Sequence, residues 1–76
     1  MIEIEELERW LSGLSIKQQG LFFYNAAKYF SSRELSEIVK SIQNGITIYT
    51  AHKKAGVIGR HIVELTHLKE RWQEGA

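Results

Sequence analysis

The stretch HKKAGVIGRH, residues 52–61, holds the densest set of side chains that could do chemistry. It carries two glycines three positions apart, three of the chain's ten Lys and Arg residues and two of its three histidines, with no acid among them. Glycines flanked by bases can cradle phosphate, because exposed backbone N–H groups and cations attract anions. A P-loop, however, needs Gly-x4-Gly-Lys-Ser/Thr after a strand, and a dinucleotide-binding turn needs a third glycine in a βαβ unit. Both contexts are absent, so the sequence predicts neither site.

The run VIGRH, residues 57–61, resembles the Gly-x-x-Gly loop with which KH domains clamp a nucleic-acid backbone. It departs from that loop because the family's second glycine follows the basic residue, where this chain has His61. Val57 and Ile58 also stand where bases would face phosphate. The resemblance is confined to these five residues, and we carry no fold or function over from it.

The histidines do not predict a metal site. His52, His61 and His67 are separated by nine and six residues, and at about 100° per residue neither neighbouring pair shares a helix face. Glu64-x-x-His67 has the spacing of di-iron helical bundles, but both residues project away from the apolar side of that segment, whereas such ligands point inward. We therefore expect solvated surface residues here, with no metal and no other cofactor.

The same stretch fits the middle of a long helix. Apolar residues recur every three or four positions and define an apolar seam, which consists of Ile48, Ala51, Ala55, Ile58, Ile62, Leu65, Leu68 and Trp72. This spacing predicts one helix from about Thr47 to Gln73, bent near the glycines. The alternation of ITIYT, residues 46–50, is typical of a strand, and the choice between helix and strand there stays open.

Opposite the seam lies a second set of residues, which we call the outer stripe: Tyr49, Lys53, Lys54, Gly56, Arg60 and His67. On a continuous helix these residues would form a basic, exposed face. Gly56 would leave room for another helix or a phosphate backbone to approach closely. We predict the outer stripe as the partner-binding face, and plain solvation of basic side chains is the alternative.

Three shorter helices precede the long one. Ile4, Leu7, Leu11 and Leu14 predict a helix over residues 3–12, with Gly13 as its stop. Ser15 can cap a second helix that runs to about Phe30. Ser31 and Glu34 form a capping box that opens a third, which ends at Asn44-Gly45 and is expected to bury Leu35, Ile38, Val39 and Ile42.

The predicted fold is therefore all-α, a small bundle of three short helices and one long C-terminal helix. Residues 1–76 are expected to form a single helical domain, because so short a chain has no room for a second core. The residues expected near its centre are Phe23, Ala27, Ile38, Ile42, Ile58, Ile62 and Leu65.

Missing residue types narrow the classes of function. The chain has no Cys and no Asp, which excludes thiol catalysis, Cys-ligated zinc, an EF-hand loop and a Ser-His-Asp triad. The N-terminal MIEIEELERW lacks the basic and apolar regions of a signal peptide. The longest strongly apolar run, LFFY, is far shorter than the ~20 residues that span a bilayer. We expect a cytoplasmic protein without membrane contact or small-molecule substrate.

Charge and aromatic residues suggest a binding protein. Residues 9–63 hold eight bases against two acids, between acidic ends, and such a basic middle can attract an acidic partner. Trp10 and Trp72 are candidate interface aromatics, since half-buried indoles often mark interfaces. No acid, base and nucleophile converge at a catalytic spacing. We expect a small non-enzymatic regulatory or adaptor module that binds another protein through a helical face, alone or as a homodimer.

The alternative is a small nucleic-acid-binding protein that uses the basic outer stripe. Gly45 could be the turn glycine of a helix-turn-helix unit, whose second helix would present near its start Thr47, Thr50, Lys53 and Lys54. That signature is weak, because Lys40 and Lys54 would then occupy positions that are normally apolar.

Overall fold

Helices make up almost all of the folded chain, as the spacing of its apolar side chains predicts. The computed structural model describes residues 3–74. Within that range it forms helices and no strand, in the order α1 (Ile4–Ser12), α2 (Ile16–Ala26), a 3-10 turn (Ala27–Tyr29), α3 (Ser32–Gln43), α4 (Ile48–Lys54), α5 (Val57–Arg60) and α6 (Ile62–Glu74). The all-α class is confirmed. The predicted count of three short helices and one long one is wrong.

Capping side chains set the starts of the second and third helices. The Ser15 hydroxyl accepts a hydrogen bond from the Gln18 amide, and Ser31 accepts one from the Glu34 amide. In both cases the later side chain accepts from the serine amide in return. These reciprocal bonds satisfy backbone donors that a helix start leaves free. The predicted helix starts are confirmed, and Gly45, at φ +88°, follows the end of α3.

The predicted helix from Thr47 to Gln73 is broken twice. α4 ends at Lys54, and Gly56 then takes a left-handed conformation with φ +78° and ψ 8°. α5 is a single turn, after which His61, at φ −115° and ψ 31°, leads into α6. A left-handed backbone costs a residue with a Cβ about 1–2 kcal/mol, so glycine suits this position. Gly56 therefore ends α4 and is not part of an outer helix face, which corrects that prediction.

The two breaks wrap the apolar seam around the other helices. A straight helix over residues 47–73 would be about 40 Å long, whereas the molecule measures 33 Å along its longest axis. Divided into three pieces, the segment packs α4 on α2 and α3, α5 on α1, and α6 on α1 and α2. The buried members of the seam are Ala51, Ala55, Ile58, Leu65 and Leu68. The seam was predicted correctly even though a single helix axis was not.

Residues 46–50 hold a helix cap in place of the strand that their alternation allowed. The Thr47 hydroxyl accepts a hydrogen bond from the Thr50 amide at 3.4 Å and lies 2.8 Å from the Thr50 hydroxyl. Helix α4 begins directly afterwards, at Ile48. The β-branched residues thus form a cap and a first helical turn.

Phe22 is fully buried in the core, where its ring contacts Trp10 of α1, Phe23 of α2 and Trp72 of α6. Of the residues predicted near the centre, Phe23, Ile38, Ile58 and Leu65 are buried, Ala27 and Ile62 are half-buried, and Ile42 is exposed. None of the helices between residues 3 and 74 has the length and apolar content required to cross a membrane.

The conformation of Gly56 can be tested by substitution, because a continuous helix and a left-handed turn predict opposite changes in the free energy of unfolding. Inside a continuous helix, Gly56→Ala should stabilise the protein by about 1 kcal/mol. In the left-handed turn it should destabilise it by about 1–2 kcal/mol, because φ is +78° and the new Cβ would lie 3.2 Å from the Arg60 guanidinium. Urea unfolding followed by circular dichroism measures the difference.

Gly45→Ala is the matched control for that substitution. Gly45 also has a positive φ, but no atom lies within 4 Å of the position its Cβ would take. It should therefore lose only the backbone part of the effect, and Gly56→Ala should be the more damaging change. If Gly56→Ala is more stable than the unmodified protein, the left-handed turn is contradicted and the single long helix is supported.

Candidate functional site

The outer stripe does not form one helix face, because the two breaks distribute its residues over separate elements. Tyr49, Lys53 and Lys54 lie on α4, and Gly56 lies in the turn that follows. The other two members, Arg60 at the end of α5 and His67 on α6, are exposed. The residues of the stripe are thus distributed over α4, the turn that follows it, α5 and α6.

Arg60 is engaged within the protein. Its Nε donates to the Glu34 carboxylate at 2.7 Å, and its guanidinium also donates to the Ala55 carbonyl. The same guanidinium covers Gly56, where a Cβ would meet it at 3.2–3.4 Å. Arg60 therefore joins the α4–α5 turn to the first turn of α3.

Lys53 is also paired, although more weakly. Its ammonium lies 3.5 Å from the Glu8 carboxylate of α1 and 6.0 Å from the centre of the Tyr49 ring. Its side chain is more than half exposed, and exposed ion pairs of this kind contribute about 0–1 kcal/mol. The Lys53–Glu8 ion pair therefore contributes little to the stability of the fold.

The Glu34 carboxylate accepts hydrogen bonds from more residues than any other side chain in the described part of the chain. It accepts from the Ser31 amide at 2.8 Å, from Arg60, and from His61 Nε2 at 3.1 Å. The Ser31 hydrogen bond is the largest influence on the pKa of Glu34 and lowers it. Burial opposes that effect, but Arg60 and His61 add to it, and the pKa falls from its usual 4.5 to about 2.

A groove lies between α3 and the α4–α5 turn, beside this carboxylate. Besides Glu34 and Arg60, its lining includes Arg33, Glu37 and Lys54. Three bases and two acids line it, and Glu37 pairs with Arg33 at 3.4 Å. Because these carboxylates already accept from neighbouring cations, the groove offers no free general base, and its three bases and two acids leave a net charge of only +1.

The histidines stay apart, and His52 belongs to the core. Its ring stacks on Phe23, with the ring centres 3.7 Å apart, and Nδ1 donates to the Ile48 carbonyl at 2.7 Å. Burial lowers the pKa of His52, which favours its neutral form. Within residues 3–74, no three side chains of the metal-ligating types come close enough to hold an ion.

Both tryptophans pack within the monomer, against the same phenylalanine ring. Trp10 and Trp72 meet Phe22 edge-on, with ring centres 5.1 Å and 5.7 Å from it. Each indole remains half-buried, and Lys69 lies 5.7 Å from the Trp10 ring. Their packing accounts for their position, and a role at an interface stays a prediction.

An apolar face of α3 is left without cover. The sequence predicted that Leu35, Ile38, Val39 and Ile42 would all be buried. Only Ile38 is, at 4% exposed, whereas Leu35, Val39 and Ile42 are 36%, 52% and 40% exposed. We call these three exposed residues the α3 strip.

The orientation of α3 explains the exposure of the strip. Glu34 and Ile38 are both buried and lie about 40° apart around the helix axis. They define the inward direction. On the same helical wheel, Val39 lies about 100° from Ile38, on the side away from Glu34. The polar residues beyond the strip are Ser32, Ser36 and Gln43, and Lys40 lines the same groove as Leu35 and Val39.

Residues 3–74 form a small all-α fold with a tightly paired polar cluster around Glu34 and an uncovered apolar strip on α3. Comparison with known protein families, curated proteins and solved structures finds no match to this chain. A function must therefore be argued from the chemistry of its own surface.

The Glu34 cluster predicts a specific dependence of stability on pH. Because folding lowers the pKa of this carboxylate to about 2, its contribution is complete above about pH 4.5 and is lost as the pH falls toward 2. The contribution is at most about 3 kcal/mol, reduced by solvent around the half-exposed Arg60. Glu34→Gln should be destabilised at pH 7 and converge with the unmodified protein near pH 2, as measured by urea unfolding across this range.

Glu37→Gln serves as the control, because Glu37 forms an exposed i, i+4 pair with Arg33. It should change the free energy of unfolding by no more than about 0.5 kcal/mol. Equal unfolding midpoints for Glu34→Gln and the unmodified protein at pH 7 would show that this carboxylate does not stabilise the fold.

Proposed function

We propose that this chain is a small non-enzymatic module that regulates or links other proteins, and that it binds a protein through the α3 strip. The observation that carries the proposal is that Leu35, Val39 and Ile42 are exposed on α3. The start of this helix is held by the reciprocal hydrogen bonds of the Ser31–Glu34 capping box. The proposal keeps the helical-face binding expected from the sequence, but it places the face on α3.

The spacing of the strip suits recognition by a helix or a groove. Residues 35, 39 and 42 follow the i, i+4, i+7 pattern of helical anchors. Burying apolar surface of this kind contributes about 25 cal/mol per Å². A protein surface is therefore a better partner for the strip than a phosphate or a charged metabolite.

The state of the polar groups supports a non-enzymatic role. The buried carboxylate of Glu34 already accepts three hydrogen bonds, from Ser31, Arg60 and His61. His52 is enclosed by Phe23 and Phe30. Groups held in this way stabilise the fold, and proton transfer to a substrate would require breaking those contacts.

Photo-cross-linking at position 39 tests the proposal, with position 63 as the control. Val63 lies on α6 and is 49% exposed, close to the 52% of Val39. A photoreactive residue at position 39, introduced in cells of the source organism, should join the chain to a protein partner. The same residue at position 63 should not.

The captured partner is then purified and titrated against two variants by calorimetry. Val39→Lys should weaken binding at least ~10-fold, equivalent to about 1.4 kcal/mol, whereas Val63→Lys should leave the affinity unchanged. The proposal fails if position 39 captures nothing, or if both lysine variants bind the partner equally well.

Nucleic-acid binding through the outer stripe is the alternative, and the ion pairs of Arg60 and Lys53 weigh against it. Duplex DNA or RNA should bind only weakly at physiological salt, since phosphate contacts to Arg60 and Lys53 would compete with internal carboxylates. Titration at several salt concentrations measures this. Tight binding, with log K falling by about 0.9 per phosphate contact for each unit of log salt, would favour the alternative.

A further inference from the structure

The C-terminal end of α3 is closed around an Asn-Gly pair. Asn44 is the C-cap residue, and Gly45 follows it with φ +88°. The Gly45 amide donates to the Ile42 carbonyl at 3.0 Å. The Ile46 amide donates to the Ser41 carbonyl, also at 3.0 Å. These two hydrogen bonds and the left-handed glycine form a Schellman motif, which satisfies carbonyls that a helix end leaves free. The turn from α3 to α4 therefore depends on the length of backbone between residues 44 and 45.

The same pair is open to a reaction with its own backbone. Asparagine is a thermolabile residue, because the amide nitrogen of the next residue can attack its side-chain amide carbon. Gly45 has no Cβ to hinder that approach, and no atom lies within 4 Å of the position that a Cβ would take. Both residues are exposed, as are Ile42 and Gln43 before them. An exposed helix end of this kind opens locally far more often than the core, and opening frees the Gly45 amide from the Ile42 carbonyl.

We propose that Asn44-Gly45 is a site of spontaneous deamidation, and that the modification loosens the turn between α3 and α4. The Gly45 amide nitrogen loses its proton and bonds to Cγ of Asn44. The side-chain amide leaves as ammonia, and the residue becomes a cyclic succinimide. Water then adds to one of the two ring carbonyls and opens the ring, which leaves an aspartyl or an isoaspartyl residue with a free carboxylate. Water is the only co-reactant, and the reaction does not depend on partner binding through the α3 strip.

Both products disturb the end of α3. Each replaces a neutral amide by a carboxylate, and this added negative charge lowers the net charge of the chain from +1 to 0. The carboxylate lies at the negative end of the helix dipole, where anions are unfavourable. The isoaspartyl product also routes the main chain through Cβ of residue 44 and so adds one carbon to it. The two hydrogen bonds of the Schellman motif then no longer form together.

The composition of the chain supplies an internal control for this reaction. The chain contains two asparagines, Asn25 and Asn44, and no Asp, so an isoaspartyl residue can arise only at these two positions. Asn25 is also exposed, but it lies within α2 and its amide donates to the Leu21 carbonyl at 2.9 Å. The next residue, Ala26, carries a Cβ beside the attacking nitrogen. Asn25 should therefore react much more slowly than Asn44.

The unmodified chain is incubated in warm, mildly alkaline buffer and digested briefly with trypsin, which places the two asparagines in separate peptides, residues 18–28 and 41–53. Mass spectrometry, with fragment ions to locate the change, should show Asn44 converting at least ten times faster than Asn25. Protein-isoaspartate methyltransferase should label the peptide of residues 41–53. Equal rates at the two asparagines, or an intact Asn44 after a synthetic peptide of residues 41–53 has converted, would overturn the proposal.

Hydrogen exchange of the modified chain tests the loosened turn. The isoaspartyl chain is separated by ion exchange and compared with Asn44→Asp, which carries the same charge on a normal backbone. Its Gly45 and Ile46 amides should exchange at least ten times faster than those of Asn44→Asp, whereas the Leu65 amide in α6 should exchange equally in both proteins. Equal exchange of the turn amides would show that the longer backbone leaves the turn intact, and it would overturn the proposal.

Discussion

The buried carboxylate of Glu34 is the interaction on which the arrangement of helices depends. It caps the start of α3 through the Ser31 amide, and it accepts from Arg60 and His61, which flank the junction of α5 and α6. A carboxylate at this depth is stable only because each of these donors is present. Removing any one of them would leave part of a buried charge unpaired, so the start of α3 and the α5–α6 junction are fixed relative to each other.

The position of that carboxylate also decides which face of α3 meets solvent. Glu34 and Ile38 are both buried, and together they occupy the inward direction of the helix. An apolar face centred on Leu35 and Ile42 would be buried only if α3 rotated, and rotation would withdraw Glu34 from Arg60 and His61. The polar cluster thus holds the helix in an orientation that leaves large apolar side chains uncovered. The exposed strip is a consequence of the internal ion pair.

Local signals made much of this fold predictable, and tertiary contacts account for what was missed. The caps at Ser15 and Ser31 depend on residues three positions away, and the sequence predicted both helix starts. The end of α4 also had a local signature, since His52, Lys53 and Lys54 lie in its last turn and Gly56 follows. The prediction of a single helix gave more weight to the regular spacing of the apolar seam than to this local signal. The spacing continues through both turns because all of its residues face the same core.

The candidate site was harder to predict, because it depends on contacts between distant parts of the chain. Glu34 was identified as a capping residue, but its partners Arg60 and His61 lie 26 and 27 positions away. Without that contact, Arg60 looked like a free base on an outer face, and Leu35, Val39 and Ile42 looked like core. The same tertiary bond therefore reverses both assignments: it takes a cation out of the predicted binding face and turns an apolar face toward solvent. A sequence pattern can show that a helix has an apolar side, but only its neighbours determine whether that side belongs to the core or to a partner.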